Sequence, residues 1–205
     1  MTDTHEALAA RADYCRMLAA CFYQPDAAFE EERMFEAMAE AGSRFDAALA
    51  ADARALGAAF ADEDHEALLV DYTRLFIGPV GTLASPYGSS WLGRDGASPV
   101  LPVLALYEEG GFAVADDFLD LPDHAAAEFE FLYLTIFRTA AATAAADLDA
   151  LARWEALERR FLAEHIGAWV GPFAGAIRDG TLTSFYRVLA DAAERFIAAE
   201  RLRLS

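Results

Sequence analysis

The feature that most constrains this chain is a spacing. Apolar residues recur three and four apart through Ala-, Glu- and Arg-rich segments over most of its length, and runs of alternating β-branched residues are almost missing. Such a chain has material for helices and almost none for a sheet, so its class is all-α. The pattern is interrupted sharply once. From Ile77 to about Pro102 lie four of the seven prolines (Pro79, Pro86, Pro99, Pro102) and five of the thirteen glycines (Gly78, Gly81, Gly88, Gly93, Gly96). The expected architecture is therefore a single-domain helical bundle over residues 1–205, of about eight to nine helices. N-terminal helices fill 1–76, a long Gly/Pro-rich central loop covers 77–102, and C-terminal helices fill 103–205.

Local signals set the helix boundaries. A first helix from about Thr4 to Tyr23 carries Leu8, Cys15, Leu18 and Phe22 on its apolar side, and Gln24-Pro25-Asp26 stops it and offers a cap for the next. Helices over Asp26–Ala41 and Ser43–Phe60 are separated by Gly42-Ser43. A fourth starts in the acidic cluster Asp62-Glu63-Asp64, which suits the positive end of a helix dipole, and reaches Phe76. Beyond the loop, the spacing predicts a short helix over Val103–Glu109 and a longer one from Pro122 to Ala144, with proline suited to the first turn. Further helices are expected over Asp147–His165, Val170–Asp179 and Ser184–Leu204. The sequence has no internal repeat.

Charge and residue usage exclude several functions. Sixteen basic against 34 acidic residues leave a net charge of −18, a field that repels phosphate backbones and anionic lipid surfaces and attracts cationic partners. Nucleic acid is excluded as a partner on this ground. Apolar residues make up 56% of the chain, ample for a core without disulfide or metal staples. Every basic residue is Arg, so Schiff-base, Walker A and kinase-type lysines are excluded; Asn is absent, which removes N-glycosylation sites. Cys15 and Cys21 lie six apart on one expected helix, unable to meet disulfide geometry easily, which points to a reducing compartment. No basic and apolar leader opens the chain, and the uncharged stretch Leu75–Gly93 is broken by glycine, proline and serine. The expectation is a cytoplasmic protein with no membrane insertion.

No catalytic constellation stands out. His5, His65, His124 and His165 are scattered, and neither cysteine has a histidine at a motif-like spacing. Glu-x-x-His repeats for a carboxylate-bridged metal centre are missing; the nearest pair is His124 and Glu128, four apart on one helix face. Two clusters remain. The loop from Gly78 to Leu92 carries Tyr87, Trp91 and Leu92, which form an apolar binding face if exposed, or plug the core if Trp91 folds inward. The second, Leu121-Pro122-Asp123-His124 with Glu128, places two carboxylates and an imidazole in the first turns of a helix; plain capping and solvation is its simplest account.

These clusters carry a resemblance. Tyr72-Thr73-Arg74-Leu75-Phe76-Ile77-Gly78-Pro79, then Ser85-Pro86-Tyr87-Gly88-Ser89-Ser90-Trp91, then Pro122-Asp123-His124 with Glu128-Phe129-Glu130-Phe131-Leu132 resemble, in order and spacing, the TorD/DmsD family of molybdoenzyme maturation chaperones. The resemblance extends to the tail, in His165-Ile166-Gly167-Ala168-Trp169 and Ser184-Phe185-Tyr186-Arg187-Val188-Leu189-Ala190. It implies an all-helical fold without enzymatic activity, and no cofactor is expected. The implied partner is the precursor of a molybdopterin-containing oxidoreductase, bound before export, commonly through its twin-arginine signal peptide. It places Pro86, Tyr87, Gly88, Ser89 and Trp91 on the family's loop motif and Asp123, His124 and Glu128 on its helix motif, with Tyr87 where some members carry Trp.

A twin-arginine signal offers two guanidinium groups followed by an apolar segment, so its receptor needs carboxylates beside an aromatic groove. On this reading Asp123 and Glu128 take the arginines, while Tyr87, Trp91 and Leu92 supply cation–π contact and cover the apolar segment. The alternative is a helical enzyme or nucleotide-responsive protein using Asp123, His124 and Glu128. Guanine nucleotide binding has been proposed for family members, but no phosphate cradle is visible here. Monomer and domain-swapped dimer both remain open, as does the choice between signal peptide and folded client.

Overall fold

The computed structural model describes residues 2–78, 81–92, 100–113 and 120–205. Within them the chain forms α1 (Thr2–Ala20), α2 (Ala28–Glu31), α3 (Met34–Ser43), α4 (Ala47–Asp62), α5 (His65–Tyr72), α6 (Ser89–Leu92), α7 (Val100–Gly110), α8 (Ala125–Ala145), α9 (Leu148–Glu164), α10 (Ile166–Gly180) and α11 (Ser184–Arg203), with a π turn at Thr73–Ile77. Among the described residues nine of these helices have eight or more residues, and α2 and α6 are single turns. The all-α class is as expected.

Helix α8 is the axis of the bundle, and its sequence says why. Ala125, Ala126, Ala127, Phe129, Phe131, Leu132 and Ile136 are all buried along its first turns, together with Glu128, and so broad a buried surface needs packing partners on several sides. Helix α1 packs along it, and Phe22, just past the end of α1, stacks its ring on Phe129 at 5.2 Å. Helices α9 and α10 close the far side, with Phe161 edge-on to Phe131 at 4.9 Å. Helices α3 and α4 form an antiparallel pair whose backbones meet so closely that a Cβ on Gly42 would lie 2.8 Å from Ala50 N. Helix α11 bridges α4 and α10, burying Phe185, Tyr186, Leu189 and Phe196.

Asp64, in the acidic cluster, and Asp147 accept the first-turn amides of α5 and α9 as the sequence suggests, and Asp46 does the same for α4, which starts beyond the expected Ser43. Four boundaries differ. The helix expected over 26–41 is divided at Arg33, which takes the left-handed conformation at φ 56°. The expected break at Gly42-Ser43 is instead the last turn of α3, because glycine is needed there for close packing rather than for a turn. Pro122 does not open α8. Its carbonyl accepts the Tyr107 hydroxyl at 2.8 Å, and His124 caps the helix. Helix α10 starts at Ile166 and carries Pro172 inside it, where the spacing placed a start at Val170.

The expected central loop 77–102 is partly helical, since α6 lies within it and α7 starts at Val100. Pro79, Gly93, Gly96 and Pro99 of that expectation lie outside the described residues. Cys15 and Cys21 are buried and unpaired. Among the described residues no helix is long and apolar enough to cross a membrane.

Candidate client-binding site

The loop reaches its place through a forced turn. Gly78 has φ +44°, and a Cβ there would lie 2.1 Å from Gly81 O, so only glycine fits. The chain then returns, with Ala84 N donating to Leu75 O at 2.9 Å. From Pro86 onward it is zipped to the entrance of α8. Ala125 N donates to Pro86 O at 2.7 Å, Gly88 N to Asp123 O at 2.8 Å, and Tyr87 pairs with His124 as an isolated antiparallel bridge. The two sequence clusters, more than thirty residues apart, form one structure.

Side chains lock this junction. Asp123, 1% exposed, accepts the Ser89 amide on Oδ2 at 2.7 Å. His124, 3% exposed, caps α8 by accepting Ala126 N on Nδ1 at 3.2 Å, which requires a lone pair on that nitrogen. Burial lowers its pKa, against the opposing charges of Asp120 and Asp123, so the neutral imidazole that caps is also the favoured form. Glu128 is fully buried and takes the Trp169 indole N–H on Oε2 at 3.1 Å. Loss of solvation pushes its pKa well above the carboxylate range, the indole hydrogen bond opposes that and Asp123 adds to it, so Glu128 is held as the neutral acid. Gly88 lies against this pair: a Cβ would fall 2.9 Å from Glu128 Oε1 and 3.0 Å from Trp169 Nε1.

The aromatic residues are neither fully exposed nor fully inside. Trp91 is half-buried, donates Nε1–H to Ser85 O at 2.9 Å, and leans on Phe173 at 6.3 Å. It combines both alternatives, with one side against the core and one side outward. Leu92 and Ser89 are half-buried, and Pro86 and Gly88 are buried. Tyr87 is half-buried, edge-on to the His124 ring at 5.4 Å, and donates its hydroxyl to Asp120 Oδ1 at 2.7 Å.

All nine residues singled out from the sequence therefore gather at one junction. Their parts differ from the expectation in one respect. Asp123 and Glu128, expected to meet arginines directly, are turned inward and buried, with one oxygen of each taken by the Ser89 amide and the Trp169 indole respectively. Three buried atoms are left there without a partner: Asp123 Oδ1, Glu128 Oε1 and His165 Nε2. Trp169 and His165 belong to the site although sequence spacing gave them no role of their own; their position in the tail stretch was the only signal. Among the described residues no group of three His, Cys, Asp or Glu side chains is arranged to hold a metal ion.

Comparison with known proteins adds a family and a fold. A family model described as nitrate reductase delta subunit matches residues 43–175, a span that includes the loop, α8 and Trp169. A search of the curated proteins returns no match. A crystal structure described as that of a candidate redox enzyme maturation protein from Archaeoglobus fulgidus has the same fold. It aligns with a TM-score of 0.54 at 21% identity, covering 91% of this chain and 93% of that one.

Proposed function

Since the chain belongs to the nitrate reductase delta subunit family, the group of TorD- and NarJ-type chaperones, we propose that it is a molybdoenzyme maturation chaperone that binds its client's precursor in the cytoplasm. It recognises the precursor through the twin-arginine signal peptide and holds it during cofactor loading and folding, before export. The observation that carries this reading is the junction itself. The loop Pro86–Leu92 is zipped by backbone hydrogen bonds to the first turn of α8, and it presents Tyr87 and Trp91 beside carboxylates in a protein of net charge −18. Such a surface favours a cationic segment followed by apolar residues, and its acidity speeds encounter with one.

A peptide receptor also accounts for why the motif residues are buried. Asp123, His124 and Glu128 hold the shape of the loop, and the loop makes the surface. The reading is tested by capture of the tagged chain from its own cells followed by mass spectrometry. A molybdopterin oxidoreductase precursor is expected in the captured fraction and is expected to be lost when its signal peptide is deleted. Recovery of the precursor irrespective of the signal peptide would move recognition to the body of the client. Absence of any such precursor would remove the function.

A further inference from the structure

The inward turn of Asp123 and Glu128 leaves open which carboxylates can reach a cationic peptide. Two others stand on the outer side of the same junction. Asp120 is exposed and Glu130, on α8, is half-exposed. Each is oriented by a tyrosine: Tyr87 OH donates to Asp120 Oδ1 at 2.7 Å, and Tyr23 OH donates to Glu130 Oε1 at 2.8 Å. Both tyrosine rings pack against one imidazole, Tyr87 edge-on to His124 at 5.4 Å and Tyr23 stacked on it at 6.3 Å, so His124 fixes the two pairs relative to each other. Among the described residues neither carboxylate makes an ion pair.

Three further observations bear on what this arrangement holds. Burial raises the pKa of Tyr87, and the charge of Asp120, which accepts the Tyr87 hydroxyl, adds to this and contributes in the same direction at Tyr23 and Tyr72. Asp123, whose charge also reaches Tyr87, keeps Oδ1 buried without a partner. At the Glu130 end a cavity of about 360 Å³ opens between α1 and α8, its wall formed by Ala20, Tyr23, Phe112, Tyr133 and Leu134 together with the charged residues Arg16 and Glu130. A carboxylate held by a tyrosine hydroxyl, with that ring beside it, suits a planar, weakly hydrated guanidinium better than a compact ammonium, because a neighbouring ring can add cation–π contact to the charged hydrogen bond.

We propose that Asp120 and Glu130, presented by Tyr87 and Tyr23, receive the adjacent arginines of the client peptide, and that the cavity beside Glu130 takes the first apolar side chain after them. The proposal rests on the peptide-binding reading above and gives it a different pair of charged residues. It also divides the labour at the junction: Asp123, His124 and Glu128 build the site, and Asp120 and Glu130 touch the ligand.

Calorimetric titration with a synthetic peptide, Arg-Arg followed by eight apolar residues, tests it. Asp120→Asn and Glu130→Gln alter accessible side chains and should leave the melting temperature nearly unchanged. Each should weaken binding about five- to tenfold, as for a lost charge-assisted hydrogen bond, and the double variant about thirtyfold or more. A matching Gln-Gln peptide should bind the native chain as weakly as the Arg-Arg peptide binds the double variant, and the double variant should no longer distinguish the two. A Lys-Lys peptide should bind more weakly than Arg-Arg. If the native chain binds Arg-Arg peptide tightly and the double variant still prefers it to Gln-Gln by the full margin, the assignment to Asp120 and Glu130 is overturned while the chaperone reading stands. If the native chain binds neither peptide, this site is overturned too, and precursor capture then decides whether the chaperone function survives.

Discussion

Glu128 and Trp169 meet at 3.1 Å across 41 residues of sequence, indole N–H to carboxyl oxygen, with both side chains fully buried. A charged carboxylate in that place would lack the partners burial demands, since Oε1 has none. The group is therefore better described as a buried acid that accepts one hydrogen bond and sets the position of α10 against α8.

That description predicts a specific mutational contrast. Glu128→Gln keeps the acceptor and removes nothing the neutral acid supplies, so its stability at neutral pH should lie within about 1 kcal/mol of the native value or above it. Glu128→Ala leaves the Trp169 N–H buried without an acceptor and opens a cavity, and should cost about 2–4 kcal/mol. Denaturant unfolding of the two variants checks this. A Gln variant as damaged as the Ala variant would mean that the charge is required.

Trp91 gives a second test, because it is half-buried against Phe173 and hydrogen-bonded to Ser85 O. A fully buried tryptophan truncated to alanine loses about 3–5 kcal/mol; here the loss should be about 1–3 kcal/mol, with the larger effect on client binding. Parallel measurement of melting temperature and peptide affinity separates the two. A fall in stability with affinity unchanged would make Trp91 a structural plug only.

Asp71 forms a clasp that spacing alone does not reveal. Its Oδ2 accepts Thr181 Oγ1 at 2.8 Å, Leu182 N and Thr183 N at 2.9 Å and Thr183 Oγ1 at 3.0 Å, while Arg74 holds Oδ1 at 2.8 Å. One carboxylate thus ties α5 to the turn between α10 and α11. Asp71→Ala strands several buried donors at once and should destabilise by about 3–5 kcal/mol; Asp71→Asn, which keeps one acceptor oxygen, should lose less. Equal unfolding midpoints for native and alanine forms would show that the turn is held by its packing instead.

The fold was legible where local chemistry decides it. The long helix α8 was expected from its apolar spacing, and Asp64 and Asp147 stand at expected helix starts with their amide partners two or three residues ahead. Arg33 was not legible, since a left-handed arginine is imposed by how α2 and α3 pack and not by a turn residue. The site divides the same way. The family resemblance named Asp123, His124 and Glu128 and the loop aromatics, and all lie at one junction. The direction in which Asp123 points depends on Ser89, 34 residues earlier, and the burial of Glu128 depends on Trp169. Neither follows from spacing on one helix. Asp120 was passed over because an exposed acid in so acidic a chain has no distinguishing sequence signal, and Glu130, though inside the quoted helix motif, had no role of its own there; each acquires one only from the tyrosine that orients it.

The last prediction concerns pH and a second buried carboxylate far from the loop. Glu158 on α9 and Glu200 on α11 are fully buried and share Arg203, while Arg11 from α1 also reaches Glu200. Burial raises the pKa of Glu158 to about 7, Arg203 counteracts this, and Glu200 adds to it. Burial likewise works against the charge of Arg203, but the two glutamates more than offset it and hold the guanidinium charged. A carboxyl raised from about 4.5 to about 7 binds a proton more tightly folded than unfolded. Its effect on stability is therefore absent below the unfolded pKa, grows as a penalty while pH rises from about 4.5 to about 7, and levels off above. Glu128 acts in the same direction, because burial raises it too. The contribution of these two acids to the pH slope of stability measured by urea unfolding is accordingly downward through this window, opposite to the usual behaviour of salt-bridged acids. It is opposed by His124 and His165, whose pKa values burial lowers, so that they favour the folded chain as pH rises. Glu158→Gln should flatten part of that slope and gain stability relative to the native chain at pH 8 more than at pH 5, and Glu128→Gln should flatten a further part. Should Glu158→Gln instead lose stability relative to the native chain, and lose it most at pH 8, Glu158 would be an ionised partner of Arg203 and not a buried acid.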